Sequence, residues 1–216
     1  MRRFFNPENP IMCFLSKLFD LILLNFLFLL SCIPVITAGA ALSALYYIVF
    51  KMQLNEEPSI IKGYCKALKD NFKQATLIWM ILLFAFTFFG TDLYIIYHVI
   101  PASYNWLQIP VWMILFILLS LLLYAFPLLS NFASSTRQVI KNAILLSIGN
   151  IPSTIFFVAV QIIIVYLCLL SNELLVLFGS IALFFGCAGM AYFYGLFLHR
   201  IFSKCKQAPA NVSADS

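Results

Sequence analysis

The chain has 216 residues, of which 63% are hydrophobic and only 10% charged, with a formal net charge of +5. A soluble domain carries about 25% charged residues and has no core able to hide so much apolar surface, so composition alone points to a membrane. The basic residues sit at the ends of apolar runs, where membrane topology puts them, which argues against nucleic acid as a partner. Cys13, Cys32, Cys65, Cys168, Cys187 and Cys205 are scattered, with no C-x-x-C and no His at metal-ligand spacing, so neither a disulfide framework nor a zinc site is indicated.

The opening MRRFFNPENP is a short polar lead. Its Arg2-Arg3 pair and the later Ala38-Gly39-Ala40 superficially resemble an export signal and its cleavage site. The apolar run begins well after the arginines, contains Asp20 and is followed by further spans, which speaks against export. A first span is predicted over residues 18–33, ending before Pro34, with Lys17 and Asp20 as i,i+3 neighbours at its start. Asn25 lies deeper and needs a partner in lipid. A short second span, residues 37–52, opens GAALSALYY, placing Gly39 over Ser43 and Ala40 over Ala44. Such small-xxx-small pairs let helices approach closely, so the first two spans are predicted to form a tight hairpin.

The one long polar interval follows, KMQLNEEPSIIKGYCKALKDNFKQA from Lys51 to Ala75, with the loop pair Glu56-Glu57. On a helix, Ile61, Tyr64, Cys65, Leu68, Phe72 and Ala75 make an apolar stripe, and Lys62, Lys66, Lys69 and Lys73 a basic one beside it. This pattern predicts an amphipathic helix lying in the membrane surface, each Lys contributing about 1 kcal/mol against anionic headgroups. Such a helix either only fixes topology and depth or docks a cytoplasmic partner.

A third span is predicted over residues 76–97, with Asp92 near its outer end, and the connector HVIPASYNW fits an outer aromatic belt. The fourth span is residues 109–129. NFASSTRQVIKNA then carries Arg137 and Lys141 on a second surface helix, which Gly149-Asn150-Ile151-Pro152 should interrupt. The fifth span is residues 152–170, the outer turn is Asn172-Glu173, and the sixth span is residues 174–201. Ala182, Gly186 and Gly189 form another close-packing face on the last span. The basic end HRIFSKCK leads into a tail, residues 204–216, expected to be disordered. Residues 1–203 thus read as one transmembrane domain: an all-α, polytopic bundle of about six spans with one or two amphipathic cytoplasmic surface helices.

Alternating the connections puts Arg2, Arg3 and Lys17, then Lys51, Lys62, Lys66, Lys69 and Lys73, then Arg137 and Lys141, then Arg200, Lys204 and Lys206 on one side. These are all 13 basic residues. Both termini are therefore expected in the cytoplasm.

Reactive chemistry is not signalled. Asp20 and Asp92 are expected near opposite faces of the bilayer, as are His98 and His199, so no dyad is expected. No phosphate loop, nucleophile motif or cofactor site appears. The deepest polar residues, Asn25 and Gln161, are uncharged amides more suited to intramembrane helix contacts than to proton coupling. Neither basic interval has the E-A-A…G pattern of an importer permease's coupling loop.

LNFLFLLSCIPVITAGAALSALYYIVFKM followed by KALKDNFKQATLIW resembles the YesL-like family of bacterial membrane proteins, a domain of unknown function. YAFPLLSNF and IKNAILLSIGNIP resemble its second half. Pro34, Thr37, Gly39, Ala44, Lys51, Asn71, Phe72 and Lys73 carry the likeness. The resemblance implies a multi-pass protein of the bacterial cytoplasmic membrane, often encoded beside carbohydrate-uptake or polysaccharide-degradation genes; it implies no established activity and carries no catalytic role over to these residues. The expected function is a non-catalytic accessory or regulatory component of carbohydrate uptake. Its partners would be the bilayer's anionic headgroups and a carbohydrate ABC transporter or other membrane protein. The alternative is a transporter or channel for small, sugar-like solutes.

Overall fold

The computed structural model describes residues 10–54, 56, 59–132 and 135–198. Arg2, Arg3, Glu57, His199, Arg200, Lys204, Cys205, Lys206 and the tail 204–216 lie outside them. The described chain is helical with no strand: α1 (Pro10–Cys32), α2 (Ala38–Gln53), α3 (Ile60–His98), α4 (Gln108–Asn131), α5 (Thr136–Gly149), α6 (Ile151–Leu170) and α7 (Asn172–Ile181). A π-helical turn, Ala182–Gly186, then leads into a last helical segment over 187–198. Six of these helical runs are long and apolar enough to cross a membrane, the number expected.

Local sequence accounts for most helix ends. Pro34 cannot continue α1, and the chain turns through a 3-10 segment, Val35–Thr37, before α2. Ser135 precedes α5 and its N–H donates to Gln138 Oε1 at 3.3 Å, a side chain three residues on that fixes the helix start. Gly149 and Pro152 divide α5 from α6 where expected, with Pro152 in the first turn, where its missing N–H costs nothing.

One expected boundary does not exist. The surface helix ending near Ala75 and the separate span from residue 76 are a single 39-residue helix, α3. At 1.5 Å per residue it is about 58 Å long, roughly twice a hydrocarbon core. The reason is an unbroken seam. Ile60, Tyr64, Ala67, Ala75, Ile78 and Leu82 are buried, with Asn71 half-buried between them, at spacings of three and four that pass straight through residue 76. The stripe read from sequence included Ile61, Cys65 and Phe72, which are exposed, and missed Ile60 and Ala67.

That seam packs on α2, the hub of the bundle. From Gly39 to Met52, α2 has eleven buried residues. It lies antiparallel to the first half of α3, Gly39 against Ala75 and Trp79 and Ile48 against Gly63. The far half of α3 is left to α4, whose Phe126 ring lies 6.3 Å from that of Trp79.

Candidate functional site: a locked hairpin turn and the lysine face it supports

The motif Pro34-Val35-Ile36-Thr37-Ala38-Gly39 folds into a knot. Thr37 Oγ1 donates to Ser31 O at 2.6 Å and lies 2.8 Å from Pro34 O, tying the end of α1 to the start of α2. Trp79 Nε1 donates to Val35 O at 2.8 Å, pinning the turn to α3. A Cβ at Gly39 would stand 2.5 Å from Trp79 Cβ and 2.7 Å from Ala75 O, so only glycine allows the two helices to meet here. One turn on, Asn71 Nδ2 donates to Ser43 Oγ at 3.2 Å. Ala40, Ser43 and Ala44 are fully buried beside it. Gly39 and Ser43 thus meet α3, and not α1 as the expected tight hairpin of the first two spans had it, with Ala40 and Ala44 buried beside them and Pro34, Thr37 and Asn71 as fastenings.

The opposite face of the same stretch of α3 is basic. Lys62, Lys66, Lys69 and Lys73 are all exposed. Because the seam clamps residues 60–82 on α2, these four ammonium groups ride on a rigid rod, not on a free surface helix. Lys51, at the end of α2, pairs with Glu56 at 3.4 Å and lies 5.1 Å over the Tyr47 ring, so it is drawn away from the stripe. Arg137 and Lys141 are exposed on α5. Antiparallel pairing, fixed by the Trp79–Phe126 contact, brings the end of α4, and with it the start of α5, to the level of α3 near Lys73. The two basic sets therefore share one end of the bundle.

The remaining predicted residues part company. Asn25 is fully buried and reaches the last span, where Nδ2 donates to Ala182 O at 3.0 Å and Leu183 O at 2.7 Å. Gln161 is half-buried on α6 with no hydrogen-bond partner among the described residues. Ala182 and Gly186 lie in the π-turn, where the nearest atom to a Cβ on Gly186 is Ala182 Cβ at 2.9 Å, part of its own turn. That face meets α1 through its carbonyls and not through a small-residue groove. Asp20 and Asp92 are half-buried on α1 and α3. No group of three His, Cys, Asp or Glu able to hold a metal occurs among the described residues.

Two polar connections escaped the sequence reading. Thr154 is buried, its Oγ1 2.9 Å from Tyr124 Oη and within 3.1 Å of Ser147 O and 3.0 Å of Asn150 O, knitting α4 to the α5–α6 break. Gln53 Nε2 donates to Tyr192 O at 2.9 Å, tying α2 to the last span. For Thr154 the signal available was a small polar residue at the head of an apolar run, which must find a partner in lipid; Gln53 lies in the polar interval, where nothing marked it.

The arrangement is that of an all-helical bundle with six helices fit to cross a membrane. Residues 21–93 match the model of a family described as a protein of unknown function, DUF624. The matched stretch runs from α1 through most of α3, and so contains the knot, the α2–α3 interface and the lysine face. No curated protein and no solved structure matches the chain.

Proposed function

We propose that this chain is a non-catalytic accessory or regulatory protein of the bacterial cytoplasmic membrane that docks a partner on the basic end of its bundle, with that end in the cytoplasm. The observation that carries the reading is the division of labour along residues 60–82 of α3. One face is locked on α2, while the other offers Lys62, Lys66, Lys69 and Lys73 to solvent with no ion pair among the described residues. A rigid row of cations loses little order on binding and suits an acidic face, on a protein or on lipid headgroups. The buried amide Asn25 spends its hydrogen bonds on the last span, which leaves no free ligand for a solute there. The likeness to YesL-like proteins, often encoded beside carbohydrate-uptake genes, names a sugar-importer permease or its ATPase as the partner.

The test is gentle detergent extraction of the tagged protein from its host, with the K62Q/K66Q/K69Q/K73Q variant alongside. The wild type is expected to co-purify with importer subunits in stoichiometric amount. The variant should insert and melt as the wild type does, because all four lysines are exposed, and lose the partner. Equal recovery from both forms would remove the docking face, and a lone wild-type protein would remove the accessory reading.

A further inference from the structure

The strangest element of the bundle is the π-turn Ala182–Gly186 inside the last span. A π-turn holds one residue more than an α-turn, and so leaves backbone groups without their usual partners. Here one side chain from α1 takes them. Asn25 Nδ2 donates to Ala182 O at 3.0 Å and to Leu183 O at 2.7 Å, and Asn25 Oδ1 accepts from the Ala188 N–H at 3.0 Å. Asn25 is 0% exposed, so no water competes. All the hydrogen-bonding groups of one amide are thus spent on one irregular turn of another helix.

We propose that Asn25 and this turn form a latch. With α1 docked, the amide holds the π-turn open; when α1 withdraws, residues 182–188 close into regular α-helix, because in hydrocarbon the freed groups have no other partner. Absorbing the extra residue turns the two halves of the last span relative to each other by about 100° and shifts them by about 1.5 Å. Packing decides which half moves. Ala188, Ala191, Tyr194 and Leu198 are buried, and the Gly195 backbone lies against Gln53, where a Cβ would meet Nε2 at 2.6 Å. In α7 the residues from Leu175 to Leu177 and from Gly179 to Ile181 are all exposed. The anchored segment stays and α7 turns, carrying the outer end of the α6–α7 hairpin with it. The latch couples the position of the first span to the orientation of the last, and it stands independently of what the lysine face binds.

The experiment measures a spin-label distance in full-length protein in lipid nanodiscs, between native Cys65, exposed on α3, and Ser180→Cys on α7, with the other cysteines replaced. Asn25→Leu keeps the volume and removes the hydrogen bonds. It is expected to shift the distance by several ångströms, up to about 10 Å, the chord swept by a label on a helix turned through 100°. Deleting Phe184 removes the extra residue, and in the Asn25→Leu background it should restore the wild-type distance. An unchanged distance in Asn25→Leu, or no restoration by the deletion, overturns the latch and leaves Asn25 as static glue. Should Asn25→Leu alone fail to insert, the double variant decides: insertion with the wild-type distance supports the latch, and failure to insert overturns it.

Discussion

Helices α2 and α6 are of similar length and both can cross a membrane, yet their surroundings are opposite. The span containing α2 is 61% buried inside the protein, that of α6 only 17%, although α6 is the more apolar of the two. In water the order would be reversed. In lipid, apolar surface gains nothing by leaving the solvent, so burial goes to the helix whose small and polar residues reward close contact. On α2, Gly39 lets α3 approach to backbone distance and Ser43 meets Asn71, while Ala40, Ala41 and Ala44 are fully buried beside them. On α6, Ile162, Ile163, Val165, Tyr166 and Leu169 are more than half exposed and need only hydrocarbon beside them. Its few buried residues, Thr154, Phe157 and Val158, cluster at the end tied to α4 and the last span.

The contrast breaks most sharply at Gly39. Gly39→Leu places a side chain where Trp79 Cβ and Ala75 O already stand, and neither can yield without moving α3. The cost is expected at about 3 kcal/mol or more, read as a large fall in melting temperature by fluorescence-detected size exclusion. Gly179→Leu on α7, where a Cβ meets nothing within 4 Å, is the matched control and should melt as the wild type. A normal melting curve for Gly39→Leu would mean that α2 and α3 do not meet as described.

A smaller effect tests the knot. Trp79→Phe keeps the ring against Phe126 and removes the bond to Val35 O. In a membrane bundle such a bond is worth about 0.6 kcal/mol and at most about 1.7. The expected outcome is a modest drop in melting temperature, together with faster backbone exchange in the turn 33–37. The smallest effect belongs to the lipid face: Ile163→Ala on α6 should change stability by less than about 0.5 kcal/mol. A drop as large as that of Gly39→Leu would show that a partner, and not lipid, covers α6.

How far the sequence was legible can be judged residue by residue. The number of apolar spans and the break at Gly149–Pro152 were readable because length, apolarity and proline act locally. Asn25 was readable as a residue in need of a partner, since a buried amide in lipid cannot go unpaired. Its partner was not, because nothing in ALFFG announces a π-turn whose carbonyls meet the amide across two helices. The boundary near Ala75 was misread because the change from lysines to apolar residues occurs on the outer face of α3 alone. The inner seam from Ile60 to Leu82 continues unbroken, and it becomes visible only when α2 lies against it.

The sequence by itself determined that the chain carries six stretches apolar enough to cross a membrane, and it set the lysine stripe beside one of them, since hydropathy, proline and lysine placement act one segment at a time. The tertiary structure decided which helix lies at the centre, which lysines stand on a rigid support, and where the last helix opens a turn. Those outcomes depend on how closely two backbones approach and which carbonyl an amide can reach, and both are properties of pairs of helices.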